Sequence, residues 1–328
     1  MSSIGVTAEE IERTALFALI AHGASVANAI PVARAIARAE AEGNSICGLF
    51  YLPIFCEHLD CGKVDGRAEP HVAVQAAVIQ VDGRSGFAHP TIEVGNTALA
   101  VAAQRYGIAS MAVRNSYNCL ALSHHVTPLA EQGLIGICMS NAPASVAPPG
   151  AIRRIFGTNP LAFAIPFAGQ PPIVVDQSMS AVTKTEVILR RNRGDPIPLG
   201  WAQDKAGNAV TDAAAGLEGS LLPAGGQKGA NVALLIEVLA AALTGSALST
   251  QASAFGDNAG GPPGVGQFII AIDPAHFAGQ AFAASIGHLA AAFTEAGVRL
   301  PGRTRNRLFE IEVDINLWRK TNALVKSV

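Results

Sequence analysis

Charged side chains are scarce in this chain of 328 residues: Asp, Glu, Lys and Arg make up 15% of it, where about 25% is usual in soluble domains. The 23 basic and 25 acidic residues nearly cancel. With a pI near 6.4 there is no cationic surplus to displace counterions from nucleic acid, so a polyanion-binding role is excluded. Aromatic residues are also few, at 5%. Apolar side chains nevertheless reach 50% with a net charge of only -2, a composition that folds rather than stays disordered. A chain of this length buries roughly three quarters of the surface exposed when unfolded, enough for one large or two medium domains.

Long apolar runs are lacking too, although mean hydropathy is +0.33. The stretch Thr14 to Ala33, which carries no Asp, Glu, Lys or Arg, is interrupted by His22, Gly23, Ser25, Asn28 and Pro31, whereas a spanning helix needs about 20 predominantly apolar residues. Met1 to Glu10 shows neither a basic n-region nor an apolar h-region, so no secretory signal is expected. The five cysteines, an odd number in a large chain, do not read as a disulfide framework, and a reducing cytoplasm is the expected compartment. Cys56, His58 and Cys61 lie close together but fit no standard zinc spacing and read as ordinary side chains.

What is present is an alternation of helix and strand. Thr7-Ala8-Glu9-Glu10 forms a capping box, and Ile11, Ala15, Ala18 and Leu19 follow at helical spacing. Further helices are predicted over Ser25–Glu42, Pro53–Cys61, Thr91–Tyr106, Leu120–Gln132, Ser180–Arg193, Lys228–Leu243 and Pro274–Ala296. Strands are predicted over Val72–Val81, Ile108–Val113, Leu134–Met139, Ile173–Val175 and Gln267–Ile272. Residues 195–226, rich in Gly, Pro, Asp and Ala, read as loops and turns. The pattern is that of an α/β protein.

Familiar catalytic motifs are missing. Gly264-Val265-Gly266 enters a strand instead of opening a helix, so it is not a Rossmann fingerprint. No G-x-S-x-G elbow and no H-E-x-x-H exists. Adjacent His124 and His125 diverge on a helix and read as surface filler. Arg153-Arg154 either bind a small carboxylate or cap a helix. Gly225-Gly226-Gln227-Lys228-Gly229 lacks the P-loop frame, but a glycine turn opening a helix with one lysine offers N–H groups and charge to a pyrophosphate.

Specific segments carry more. Gly157-Thr158-Asn159-Pro160-Leu161-Ala162-Phe163, Gly226-Gln227-Lys228-Gly229, Gly260-Gly261-Pro262-Pro263, Gln267 to Pro274 and Arg299-Leu300-Pro301-Gly302 together resemble, in order and over nearly the whole chain, the malate/L-lactate dehydrogenase-like family of NAD(P)-dependent oxidoreductases. Within it the sequence is most similar to reductases of pyrroline-2-carboxylate and piperideine-2-carboxylate. The resemblance implies an α/β fold with a cofactor site that is not of the Rossmann type. It divides the chain into a helical region at 1–70, joined by 297–328, and an α/β region at 71–296.

By the same resemblance, NADPH or NADH contacts fall on Asn118, Cys119, Leu120, Ala121 and Leu122, on Asp176, Gln177 and Ser178, on Gln227 and Lys228, and on Arg303 and Arg305. Thr158 falls on the substrate side. A homodimer acting on a small cyclic imino acid is implied, with no metal, nucleic acid or membrane partner. The family's Ser-His-Gly-Leu motif is replaced by Ile46-Cys47-Gly48-Leu49, Tyr51 stands for an arginine that faces the substrate carboxylate, and Asn118 and Gln227 stand for histidines. Cys47 and the acidic Glu186 are the catalytic candidates that remain.

Loss of the histidine bears unequally on possible reactions. Ketone reduction leaves an alkoxide that must be protonated, and a missing general acid costs about 10²–10⁴-fold. A cyclic imine can bind already protonated and needs no proton in the hydride step. The sequence therefore favours imino-acid reduction over two alternatives, a 2-hydroxy acid or other imine substrate and a non-catalytic paralogue.

Overall fold

The computed structural model describes residues 3–302 and 309–325. Strand β1 (Ser3–Val6) leads into helices α1 (Ala8–Ala21) and α2 (Val26–Ala41). Thr7 and Glu10 form the capping box at the start of α1, and Ser25 caps α2. Two 3₁₀ turns, Ser45–Cys47 and Leu49–Tyr51, precede α3 (Leu52–Asp60). The apolar faces of these helices close on one core containing Ile11, Leu19, Ile36, Leu52 and Phe55.

The expected strand over Val72–Val81 is instead a hairpin of β2 (His71–Gln75) and β3 (Val78–Asp82). Its turn is made by Ala76 at φ +53°, so none of the residues that usually announce a turn marks it. Helix α4 (Ala88–Tyr106), strand β4 (Ile108–Ser116), helix α5 (Ser123–Glu131) and strands β5 (Ile135–Ser140), β6 (Leu161–Ile165) and β7 (Ile173–Gln177) follow. Helix α6 (Lys184–Arg193) starts four residues later than the periodicity predicts, because the Thr183 hydroxyl accepts the Glu186 amide and sets the N-cap.

Residues 195–226 hold short elements: β8 (Ala202–Gln203), α7 (Ala213–Glu218) and β9 (Ser220–Leu221). Arg154 donates to the carbonyls of Leu217, Glu218 and Gly219 at the end of α7. The helix-capping alternative for that arginine is thus the one realised. Helix α8 (Gln227–Glu237) runs on as a π-helical segment, Val238–Ala242. Strand β10 (Val265–Ile272), helix α9 (Gln280–Glu295), strand β11 (Ile311–Asp314) and helix α10 (Ile315–Leu324) complete the chain.

Seven strands form one mixed sheet in the order β2-β3-β4-β10-β5-β6-β7. Strands β3 and β4 run parallel and the other neighbours antiparallel. The fold is α/β, as the alternation predicts, with β10 at the sheet centre. One face packs α4 and α5 through Ile92, Leu99, Val126 and Leu129. Helix α2 packs on α4, and beyond it β11 pairs with β1 and α10 packs on α1. Among the described residues no helix is long and apolar enough to cross a membrane.

Two resemblance motifs have local physical causes. A Cβ on Gly157 would lie 2.2 Å from the Ala142 carbonyl oxygen, so the Gly-Thr-Asn-Pro turn packs backbone against backbone. Gly225 and Gly226 have φ of +61° and +63°, which L side chains rarely adopt.

Candidate active site

A cavity of about 550 Å³ lies between the N-terminal helices and the sheet. It is built from segments far apart in sequence. Residues 46–54 form one wall, and their turn is fixed from behind by buried Glu40, whose carboxylate accepts the Leu49 amide at 2.6 Å. Gly48 leaves room for that carboxylate, since a Cβ there would lie 2.1 Å from Glu40 Oε1. Burial raises the Glu40 pKa.

The second wall is the loop before α5. Leu120 sits at φ +52°, an uncommon conformation for a branched side chain, and its amide donates to Asn118 Oδ1 at 3.0 Å. Residues 118–122 are therefore a shaped loop, and α5 begins at Ser123 and not at Leu120. The Ser123 amide donates to Asp176 Oδ2 at 2.8 Å, joining the loop to the end of β7. His125 Nε2 donates to the Cys119 carbonyl at 3.0 Å.

His124 and His125 correct the expectation of surface filler, for both are buried. Helix α5 packs under α2 and α4, where His124 meets Glu42 at 3.3 Å and the His125 ring lies against His89. Burial lowers the pKa of both, with His125 at about 4. Burial opposes ionisation of Glu42, yet His124 and Arg38 bring it down to about 2.

The third wall is α6. At 100° per residue, Lys184, Thr185, Ile188 and Arg191 share one face, and all four line the cavity. Glu186, Arg190 and Arg193 share the opposite face. Glu186 Oε1 accepts Arg190 Nε at 2.8 Å and lies 3.9 Å from Arg193. Glu186, the acidic catalytic candidate, thus lies on the face of α6 away from the cavity.

Residues singled out in the sequence separate accordingly. Cys47, Tyr51, Asn118, Cys119, Leu120, Ala121, Thr158, Asp176 and Ser178 line the cavity. Leu122 lies in the hydrophobic core behind it. Gln177 is exposed. Gln227 and Lys228 are exposed at the start of α8 and do not line this cavity, Gln227 donating to Asn231 at 2.8 Å. Arg303 and Arg305 lie outside the described residues.

Tyr51 ties the walls together. Its hydroxyl lies 3.0 Å from Thr185 Oγ1. Burial raises its pKa, so the phenol stays protonated. Sequence reasoning missed Lys184, Arg191, Tyr117, Phe255 and Asp257 as lining residues. The helical spacing of Lys184 and Arg191 was the available signal. Tyr117 is held by His58, whose Nε2 donates to the Asp257 carbonyl at 3.0 Å and whose Nδ1 therefore accepts the phenol proton. His58 is engaged there, away from Cys56 and Cys61.

No histidine lines the cavity among the described residues. With this geometry in view, the comparisons are decisive about kinship: the malate/L-lactate dehydrogenase family matches residues 6–314. The chain belongs to that family. A (2R)-3-sulfolactate dehydrogenase (NADP(+)) of Chromohalobacter salexigens is 40% identical over 92% of this chain and 91% of its own. A Delta(1)-pyrroline-2-carboxylate reductase of Ancylobacter novellus is 37% identical over 93% of each. The crystal structure of delta1-piperideine-2-carboxylate reductase from Pseudomonas syringae superposes with a TM-score of 0.92 at 34% identity, covering 98% of this chain and 99% of that one. This family membership accounts for the non-Rossmann sheet order and for the motifs that the sequence shares in sequence order.

Proposed function

We propose that the protein is an NAD(P)H-dependent reductase of small cyclic imino acids, converting pyrroline-2-carboxylate to L-proline and piperideine-2-carboxylate to L-pipecolate. One observation carries the reading: the described cavity wall offers hydroxyls, amides, two thiols, two carboxylates, an ammonium and a guanidinium, but no imidazole. That inventory suits a substrate that arrives with its own proton.

The residues present fit a nicotinamide cofactor. The volume falls in the range of about 300–1,000 Å³ typical of small-molecule sites, Phe50 and Phe255 offer flat apolar surface, and Ser140, Thr158 and Ser178 offer hydroxyls. The 118–121 loop and Asp176 complete the holding set. When bound, the reduced cofactor supplies the hydride.

The side chains act on the substrate by charge and position. A protonated cyclic imine gains a C–H bond at its imine carbon while the C=N π pair moves to nitrogen, giving a neutral secondary amine without a proton donor. The carboxylates of Asp176 and Asp257 favour the iminium cation in the cavity. Tyr51 orients the substrate by donating a hydrogen bond, and Cys47 fills the wall beside it. NADPH is favoured over NADH by the name of the sulfolactate relative.

A second reading, 2-hydroxy acid dehydrogenase, is favoured by the 40% identity of that same relative. Purified protein should consume NADPH or NADH when given pyrroline-2-carboxylate and show far lower activity with 2-oxo acids. Turnover of sulfolactate in place of the imines would select the second reading, and cofactor binding with no turnover of either class would indicate a non-catalytic paralogue.

The same proposal includes a cytoplasmic homodimer. Val232, Leu235 and Val238 form an exposed apolar stripe along α8 and its π extension, a surface suited to a second copy. The five cysteines form no disulfide. Light scattering at micromolar concentration tests the dimer.

A further inference from the structure

Lys63, just beyond α3, is fully buried, and a lysine is almost never found so unless acceptors close its ammonium. The acceptors come from far along the chain: Nζ donates to the carbonyls of Asp257 and Ala259 at 2.7 and 2.6 Å. Both carbonyls belong to a strap, residues 253–261, that runs along the cavity on its way to β10. Ala254, Phe255, Gly256 and Asp257 line the cavity, while residues 256–260 are exposed. The base of the strap is fixed by Ser249, whose amide and hydroxyl each donate to Glu237 at 2.6 Å, and by the Ser253 hydroxyl, which donates to the Gly261 carbonyl at 2.6 Å.

Beyond its base the strap is gripped by two side chains. Among the described residues, every hydrogen bond that reaches residues 254–259 from outside the strap is donated by Lys63 or His58. His58 Nε2 shares the Asp257 carbonyl with Lys63 at 3.0 Å, and the Tyr117 hydroxyl on its Nδ1 belongs to a ring 5.8 Å from that of Phe255. Burial lowers the His58 pKa, which keeps the imidazole neutral and able to donate and accept at once. The Lys63 ammonium also lies 3.6 Å from the Asp257 carboxylate, but its short contacts are to backbone. Holding carbonyls fixes the course of a segment whatever its side chains are. An apolar side chain of similar volume would fill the Lys63 position without taking a charge out of water, but it could not hold the strap.

We propose that Lys63, with His58 beside it, is a positioning residue for the reaction: the pair latches the strap to the N-terminal helices and so keeps Phe255 and Asp257 in place on the cavity wall. This rests on the reading of the cavity as the site of imino-acid reduction. Without the latch the strap is held only at its base, and the cavity loses a wall for part of the time. Substrate binding then weakens more than the hydride step slows.

The full chain carrying Lys63→Met is compared with the wild type and with Leu99→Ala, a control that destabilises the core under α4. Lys63→Met should raise the KM for pyrroline-2-carboxylate by about 10- to 100-fold, the range for a lost hydrogen bond to a charged group, and leave kcat within about threefold. Leu99→Ala should leave KM unchanged. Native-state digestion with chymotrypsin reads the latch without substrate. Cleavage after Phe255, measured against cleavage after Phe277, which is 68% exposed, should rise by about tenfold in Lys63→Met. His58→Leu removes the second grip alone and should move both readouts the same way by about threefold. It decides the matter by the same readouts if Lys63→Met does not fold. An unmoved KM, a fall in kcat alone, or an unchanged cleavage ratio overturns the proposal. If the wild type reduces neither imines nor 2-oxo acids, the reading of the reaction falls and the cleavage ratio decides the latch on its own.

Discussion

The Tyr51 hydroxyl and Thr185 Oγ1 stand 3.0 Å apart, joining the turn before α3 to the second residue of α6 across the cavity wall. By the resemblance, Cys47, Tyr51 and Asn118 are three of the positions at which this chain departs from the family motif, and all three line one cavity.

Removing the link should therefore cost activity without unfolding the protein. Tyr51→Phe keeps the ring against Phe55 and deletes only the hydroxyl. We expect kcat/KM for the imine to fall by about tenfold, the effect of one lost neutral hydrogen bond at its upper range, with cofactor affinity unchanged. Steady-state kinetics with both ligands varied would detect this, and an unaltered kcat/KM would remove Tyr51 from the site.

Glu186 tests the helix phase. Since its carboxylate pairs with Arg190 on the face opposite the cavity, Glu186→Gln should leave kcat within about twofold and stability within roughly 1 kcal/mol, as for a partly exposed ion pair. A loss of 100-fold or more in kcat would restore the catalytic role that sequence resemblance assigned to it.

That residue shows where the sequence was readable and where it was not. Helix periodicity and caps located most elements because each is a local signal: Thr7 with Glu10, or the glycines at 43 and 107. The hairpin turn at Ala76 and the late start of α6 depended on conformations that carry no compositional mark. At the site, motif order placed Cys47, Tyr51, Asn118, Thr158 and Asp176 on one cavity. Glu186, Gln227 and Lys228 lie outside that cavity, for motif order gives a position along the chain but not the face of a helix. Lys184 and Arg191 were missed because lysine and arginine at helix ends normally read as solvated.

The Gly-Thr-Asn-Pro turn should tolerate no side chain at its first position. A methyl on Gly157 would lie 2.2 Å from the Ala142 carbonyl oxygen and 2.6 Å from its carbon, contacts that only backbone movement can relieve. Asn159, two residues further, is locked by its amide donating to the Ala233 carbonyl and Glu237, so the strain has little room to spread. Gly157→Ala should destabilise the protein by about 1–3 kcal/mol, as overpacking does, read as a lower midpoint in urea. An unchanged midpoint would mean that the turn relaxes freely.

Acid sensitivity should begin at the buried histidines behind the 118–122 loop. Burial, reinforced by repulsion from His124 and Arg38, holds His125 neutral with a pKa of about 4 against an ordinary value of 6.5. As pH falls below 6.5 the unfolded chain takes up this proton first. The contribution to stability is therefore complete above about pH 6.5 and lost by about pH 4, roughly 3 kcal/mol for the lowered imidazole. His89, whose pKa burial also depresses, acts in the same direction. Glu42, lowered from 4.5 to about 2, is the opposite charge type: its contribution is present above 4.5 and disappears as pH drops toward 2. The two windows follow one another. Urea unfolding from pH 7 to pH 3 should show stability declining in both, and His125→Gln, which keeps a donor for the Cys119 carbonyl but cannot titrate, should flatten the slope between pH 6.5 and 4 while leaving the lower window intact. A slope identical to that of the wild type in the upper window would show that His125 takes up its proton equally in both states.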